Sequence, residues 1–171
     1  MVLGQEFVIT SWFRIHFLEN EGMAFGLSFG GNAGKLILSL LRIVVVAAIC
    51  WYIWHLVRTN ENKWMIAAIS LIVAGALGNI LDSCFYGLLF NDSYYQVAQF
   101  LPEGGGYAPF LHGKVVDMFY FPLIETTCPQ WMPFIGGEPF LFFRPVFNIA
   151  DSAITVGVTL FFILQINWRK K

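Results

Sequence analysis

Three long apolar runs, separated by one short polar turn and one long mixed stretch, set the pattern of this chain. Leu36–Val57 holds 22 residues with Arg42 as its one charge. Trp64–Leu81 is uncharged over 18 residues, and Asp82 then leads into SCFYGLLF, so the run continues to Phe90. Phe147–Asn167 has 21 residues and one carboxylate, Asp151. A spanning helix needs about 20 apolar residues, so spans are predicted over 36–57, 64–90 and 147–167. Trp51, Trp54, Trp64 and Trp168 fall at the interfaces of those spans, where amphipathic rings concentrate. FRIHF (Phe13–Phe17) alternates and predicts a short strand, followed by the turn-forming ENEG.

Composition agrees with a membrane class. The 171 residues are 57% hydrophobic and only 12% charged, with a mean hydropathy of +0.65, against about 25% charged in a soluble domain. The predicted fold is an α-helical polytopic membrane protein, one membrane-embedded domain over 1–171. It has a strand-and-loop region at 1–34 and a small β-containing cap at 91–146. That cap holds all seven prolines, a GGG and many aromatics, with Lys114 and Arg144 as its fixed positive charges. A net charge of −1 without a basic patch, apart from the RKK tail, argues against a nucleic-acid partner. Cys50, Cys84 and Cys128 have no metal-like spacing, so neither a zinc site nor a disulfide framework is implied. A Cys84–Cys128 bridge stays open, and Cys50 reads as a small hydrophobe.

Lysine and arginine bias sets orientation. The turn RTNENK (Arg58–Lys63) and the RKK tail go inside, which places the cap outside. The first run must then travel inward, so residues 1–34 also lie outside. MVLGQEFVITSWF is too short to carry them across, and no cleavable signal precedes them. The expectation is that the complete form has an additional N-terminal helix; the alternative is an unusual topology.

An ionisable residue in a span is costly and is a functional candidate by default. Asp82 lies about 27 Å along its helix at ~1.5 Å per residue, near the outer limit of the bilayer core. Asp151 lies one turn inside the outer end of its own helix. Asp117, in KVVDMFYFP, belongs to the cap. Three carboxylates are thus expected at one depth. Asn79-x-x-Asp82 and Asn148-x-x-Asp151 each place an amide and a carboxylate on one helical face. The bland alternative is capping and packing: Asn148 is a reasonable N-cap, and an acid in a first turn suits the helix dipole.

Two carboxylates brought close share one proton, so that one activates water while the other acts as acid. That is aspartic protease chemistry. No HExxH is present. Gly26-Leu27-Ser28-Phe29-Gly30 has the form of a nucleophile elbow but lacks the preceding strand and α/β sheet such an elbow needs. Nothing positions His112 as its base. A proton relay or transporter subunit using the same acids is the alternative function. It would need acids across the membrane, and the inner halves of the runs contain none. A structural or lipid-binding protein would not need paired acids.

NEGMAF (Asn20–Phe25), GNILD (Gly78–Asp82), VVDM (Val115–Met118) and FNIADSA (Phe147–Ala153) resemble, in order, the motifs of the lipoprotein signal peptidases (signal peptidase II, aspartyl protease family A8). The resemblance runs from about Ile15 to the end of the last apolar run. It implies a four-helix bacterial inner-membrane aspartyl protease with a β-rich periplasmic cradle and a cytoplasmic C-terminus. Its substrate is implied to be the signal peptide of diacylglyceryl-modified prolipoproteins, cut before the lipidated cysteine among membrane lipid. It implies no cofactor and no metal. By motif, Asp117 and Asp151 are the catalytic pair, and Asn20, Gly78, Asn79, Asp82, Asn148 and Ala150 shape the site. Three departures stand out. The family's first helix is missing, Ser83 follows Asp82 where an Arg is common, and Phe90–Lys114 is longer than usual.

Overall fold

The computed structural model describes residues 1–21 and 31–168. Its elements run β1 (Glu6–Thr10), β2 (Phe13–Asn20), α1 (Gly31–Arg58), α2 (Lys63–Leu89), β3 (Val115–Tyr120), β4 (Ile124–Thr127), β5 (Pro139–Phe142), β6 (Val146–Phe147) and α3 (Ile149–Trp168). The three helices are long and apolar enough to cross a membrane, at the three places where the apolar runs lie. The FRIHF strand is β2. The GxSxG run at 26–30 and the Gly22–Phe25 part of NEGMAF lie outside the described residues.

The chain divides into two compact units. The first takes Met1–Glu19, Ser93–Val97 and Val116–Asn148. Its sheet has the order β1-β2-β3-β6, and β4 and β5 form a separate antiparallel pair. β1 and β2 form a hairpin in which Phe7 faces Ile15, and β3 pairs with β6 through Phe119↔Phe147 and Tyr120↔Val146. An aromatic ladder binds these strands: Phe13 stacks on Phe121 at 4.9 Å, and Phe121 on Phe147 at 5.6 Å. Arg14 joins Glu6 on β1 (3.1 Å) to Glu125 on β4 (2.8 Å). Those hydrogen bonds, Glu6 first, raise the Arg14 pKa above the ordinary arginine value. Ser93, fully buried, ties the 93–97 segment in by accepting from the Leu3 N–H through its carbonyl and donating its hydroxyl to Glu19.

The second unit contains α1, α2, α3 and the 98–115 segment. Its core is Val46, Val73, Ile80, Cys84 and Leu111, flanked by Leu36, Ile49, Ile53 and Ala76. α1 buries one stripe, with Ser39, Val46 and Leu56 inward and Leu40, Leu41, Val44, Val45 and Trp51 outward. Outward apolar side chains at that density suit lipid rather than water. Cys50 is on the exposed side of α1, and Cys84 and Cys128 are both buried free thiols.

α2 and α3 meet at unusually close range. A Cβ placed on Gly75 would fall 2.2 Å from the Ala150 carbonyl oxygen, so only glycine permits this crossing. The far end of α2 is closed by the 98–115 segment. The N–H groups of Leu101, Ala108 and Gly113 donate to the carbonyls of Leu89 (2.7 Å), Gly87 (2.9 Å) and Ser83 (2.8 Å). The last-turn carbonyls of Gly87 and Leu89 have no partner within the helix and are costly to leave unpaired in an apolar setting. Gly113 fits because a Cβ there would lie 2.4 Å from the Asp82 carbonyl oxygen.

Candidate active site

Asp117 lies on β3, whose alternation turns Val115 and Asp117 inward, at 3% and 5% exposure. A carboxylate so buried needs donors. Asn148 supplies one: its Nδ2 donates to Asp117 Oδ1 at 2.9 Å and reaches the Val116 carbonyl at 3.4 Å. Asn148 is the residue immediately before α3, which follows β6 after that single residue. The β3–β6 pairing therefore fixes where this amide stands.

Asp151 is in the first turn of α3. Asn79 of α2 donates through Nδ2 to Asp151 Oδ1 at 3.0 Å. Two further contacts fix this junction. Ala150 packs on Gly78, where an added Cβ would come within 3.2 Å of the Ala150 methyl, and the Gly75 approach lies one turn away. Ser83 donates to the Asn79 carbonyl at 3.0 Å and is itself buried. The Asp151 carbonyl accepts from the Thr155 hydroxyl at 2.8 Å. Asp82 is bonded by the hydroxyl of Tyr86, one turn along α2. Asn20 closes β2, at the edge of the described residues.

The amide–carboxylate spacing is therefore informative, but the hydrogen bonds cross it. Asn79 reaches the acid of α3, and Asn148 reaches the acid of β3. Motif reading misses Gly75. Its signal is the spacing of small residues, Gly75-x-x-Gly78, on an apolar helix. No group of three His, Cys, Asp or Glu able to hold a metal occurs among the described residues.

Three long apolar helices, with Asp151 of α3 held by Asn79 and Asp117 of β3 held by Asn148, define a multi-pass membrane protein. The family model described as Signal peptidase (SPase) II matches residues 1–167; the chain belongs to the signal peptidase II family and is a protease. It is 53% identical over 164 residues to the lipoprotein signal peptidase of Porphyromonas gingivalis (strain ATCC 33277), covering 95% of this chain and 71% of that one. The lipoprotein signal peptidase of Amoebophilus asiaticus (strain 5a2) is 38% identical over 159 residues, covering 92% and 63%. Among solved structures, a bacterial membrane enzyme determined in meso at 2.3 Å matches with a TM-score of 0.58 and 25% identity, covering 98% of this chain and 74% of that one.

Proposed function

We propose that this protein is an aspartyl endopeptidase that removes signal peptides from diacylglyceryl-modified prolipoproteins, cutting before the lipidated cysteine. Asp117 and Asp151 are its catalytic pair. It sits in the bacterial inner membrane with the site at the outer face and the C-terminus in the cytoplasm. The observation that carries this reading is that Asn148 donates to Asp117 at 2.9 Å while standing three residues before Asp151 in the chain. Asn79 holds the second acid in the same way.

An N–H fixed on one oxygen sets the plane of a carboxylate, so that its role in proton transfer is decided before substrate arrives. In the reaction, one carboxylate takes a proton from water and the water oxygen bonds to the scissile carbonyl carbon. The partner carboxylic acid protonates the carbonyl oxygen. The tetrahedral intermediate then collapses: one of its hydroxyls returns a proton to the partner carboxylate as the C=O re-forms, the C–N bond breaks, and the leaving amine takes a proton from the acid that first accepted one. Gly78, Ala150, Asn20 and Asp82 shape and support the site. Lipid on the substrate cysteine matches the apolar frame, which suits an acyl-anchored peptide better than a soluble one.

The test is turnover of a diacylglyceryl-modified prolipoprotein peptide by purified protein. Asp117→Asn and Asp151→Asn are each expected to lower it at least a hundredfold, within the 10²–10⁴ range of general acid–base catalysis, while both variants stay folded. Residual turnover above a tenth of the parent's in either variant rules out the pair, and equal turnover of the unlipidated peptide rules out the lipoprotein substrate.

A further inference from the structure

The β4–β5 hairpin turns apolar side chains outward from its strands to its tip. Residues paired across two antiparallel strands share a face, so Ile124 and Phe142 lie on the same face as Thr126 and Phe140. Ile124, Phe140 and Phe142 are exposed there. Glu125 and Leu141 lie on the opposite face. Glu125 bonds Arg14 of β2 at 2.8 Å, which turns this second face toward the four-stranded sheet. The tip is closed on itself: the N–H groups of Cys128, Gly137 and Gly136 donate to the carbonyls of Glu138 (2.9 Å), Cys128 (3.0 Å) and Met132 (3.0 Å). No charge occurs from Thr126 to Gly137. From this frame Trp131, 79% exposed, Phe134, wholly exposed, and Ile135 project outward. Phe134 holds a left-handed backbone at φ 69°, which bulky residues avoid unless the surrounding structure imposes it.

An exposed apolar patch marks a protein or a membrane contact, and three observations select the membrane. Backbone groups paired within the tip can leave water at little cost. The hairpin is tied to a spanning helix: Phe143, Arg144 and Pro145 alone separate β5 from β6, and Asn148 alone separates β6 from α3. At about 3.3–3.6 Å per residue, Phe142 is therefore held within about 25 Å of the point where α3 begins its span. The tip is also small. An aromatic side chain offers about 150–250 Å², and Trp131, Phe134 and Ile135 together fall short of the ~800 Å² per side of a stable protein interface.

We infer that the hairpin tip is an interfacial lipid anchor. Trp131, Phe134 and Ile135 enter the headgroup boundary of the bilayer face at which α3 begins, the level where aromatic rings concentrate. This contact is additional to the three spans and makes no use of the catalytic pair.

The experiment uses the full chain reconstituted in phosphatidylcholine vesicles, with the lipid either plain or brominated near the top of one acyl chain. The emission of the parent minus that of Trp131→Leu isolates Trp131 from the other tryptophans, and Trp131→Phe serves if the leucine variant fails to fold. Brominated lipid is expected to remove most of the Trp131 emission. Phe134→Asp together with Ile135→Asp should restore it while Tm stays unchanged, because a charged tip is costly to hold among acyl chains. Trp131 emission that brominated lipid leaves intact overturns the inference, and iodide then tells what surrounds the ring. Quenching by iodide means water, and protection means a second copy or another protein segment. Emission that stays quenched in the doubly charged tip also counts against lipid anchoring.

Discussion

Asn79 on α2 and Asp151 on α3, 72 residues apart in sequence, are joined by a 3.0 Å hydrogen bond from amide to carboxylate. Each is placed by a different device. Asn79 has its carbonyl held by Ser83, and Asp151 follows Ala150, the residue seated against both Gly75 and Gly78. The orientation of the acid therefore depends on how closely two helix backbones approach.

Asn79→Ala should lower kcat about tenfold or more and change KM little, because a hydrogen bond to a charged group is worth about 1.5–3 kcal/mol. Asn148→Ala should do the same through Asp117. Steady-state kinetics on the lipidated peptide would show it; an unchanged kcat in both variants would mean that the amides serve only packing.

Asp82→Asn should be milder, within about tenfold of the parent, since Tyr86, one turn along the same helix, is among its partners and an amide can keep one neutral bond worth about 1 kcal/mol. An Asp82→Asn protein that is well folded and as inactive as Asp117→Asn would require a different assignment of the pair.

Gly75→Val should destabilise the helix pair severely. Its Cβ would lie 2.2 Å from the Ala150 carbonyl oxygen and 2.8 Å from an Ile154 side-chain carbon, and overpacking ordinarily costs about 1–3 kcal/mol even without a backbone clash. A Tm drop of several degrees is expected, with loss of activity at permissive temperature because Ala150 and hence Asp151 are displaced. A Tm within about 1 °C of the parent, less than the shift expected from 1 kcal/mol, would contradict the crossing.

Gly113→Ala should loosen the 98–115 segment from the end of α2. A Cβ there meets the Asp82 carbonyl oxygen at 2.4 Å and the Ser83 carbonyl oxygen at 3.0 Å, so the bond from Gly113 N–H to Ser83 must lengthen. Hydrogen exchange at Ala108 and Gly113 should accelerate while the middle of α2 stays protected. Unchanged exchange at both amides would show that the segment is held by something other than these bonds.

The helices are legible because span length is a one-dimensional property: the apolar runs at 36–57, 64–90 and 147–167 form α1, α2 and α3 nearly in place. β2 is legible from the alternation of FRIHF. β4 and β5 are not, since IETT and PFLF are short, largely exposed strands that pair only with each other. At the site, the acids and amides stand out as polar residues in apolar surroundings, but their partners do not. Helical spacing reports which residues share a face, whereas the Asn79–Asp151 and Asn148–Asp117 bonds depend on which elements are neighbours.

The passage from β6 to α3 uses one residue, Asn148, between Phe147 in the sheet and Ile149 in the helix. That economy makes the interval from Asn148 to Asp151 a ruler of fixed length. Each residue added to a helix rotates the remainder of it by about 100°, so one insertion after Ile149 would put Asp151 a quarter-turn or more out of register with the first residue of α3. A single residue inserted or deleted in that interval should be as damaging as losing an acid.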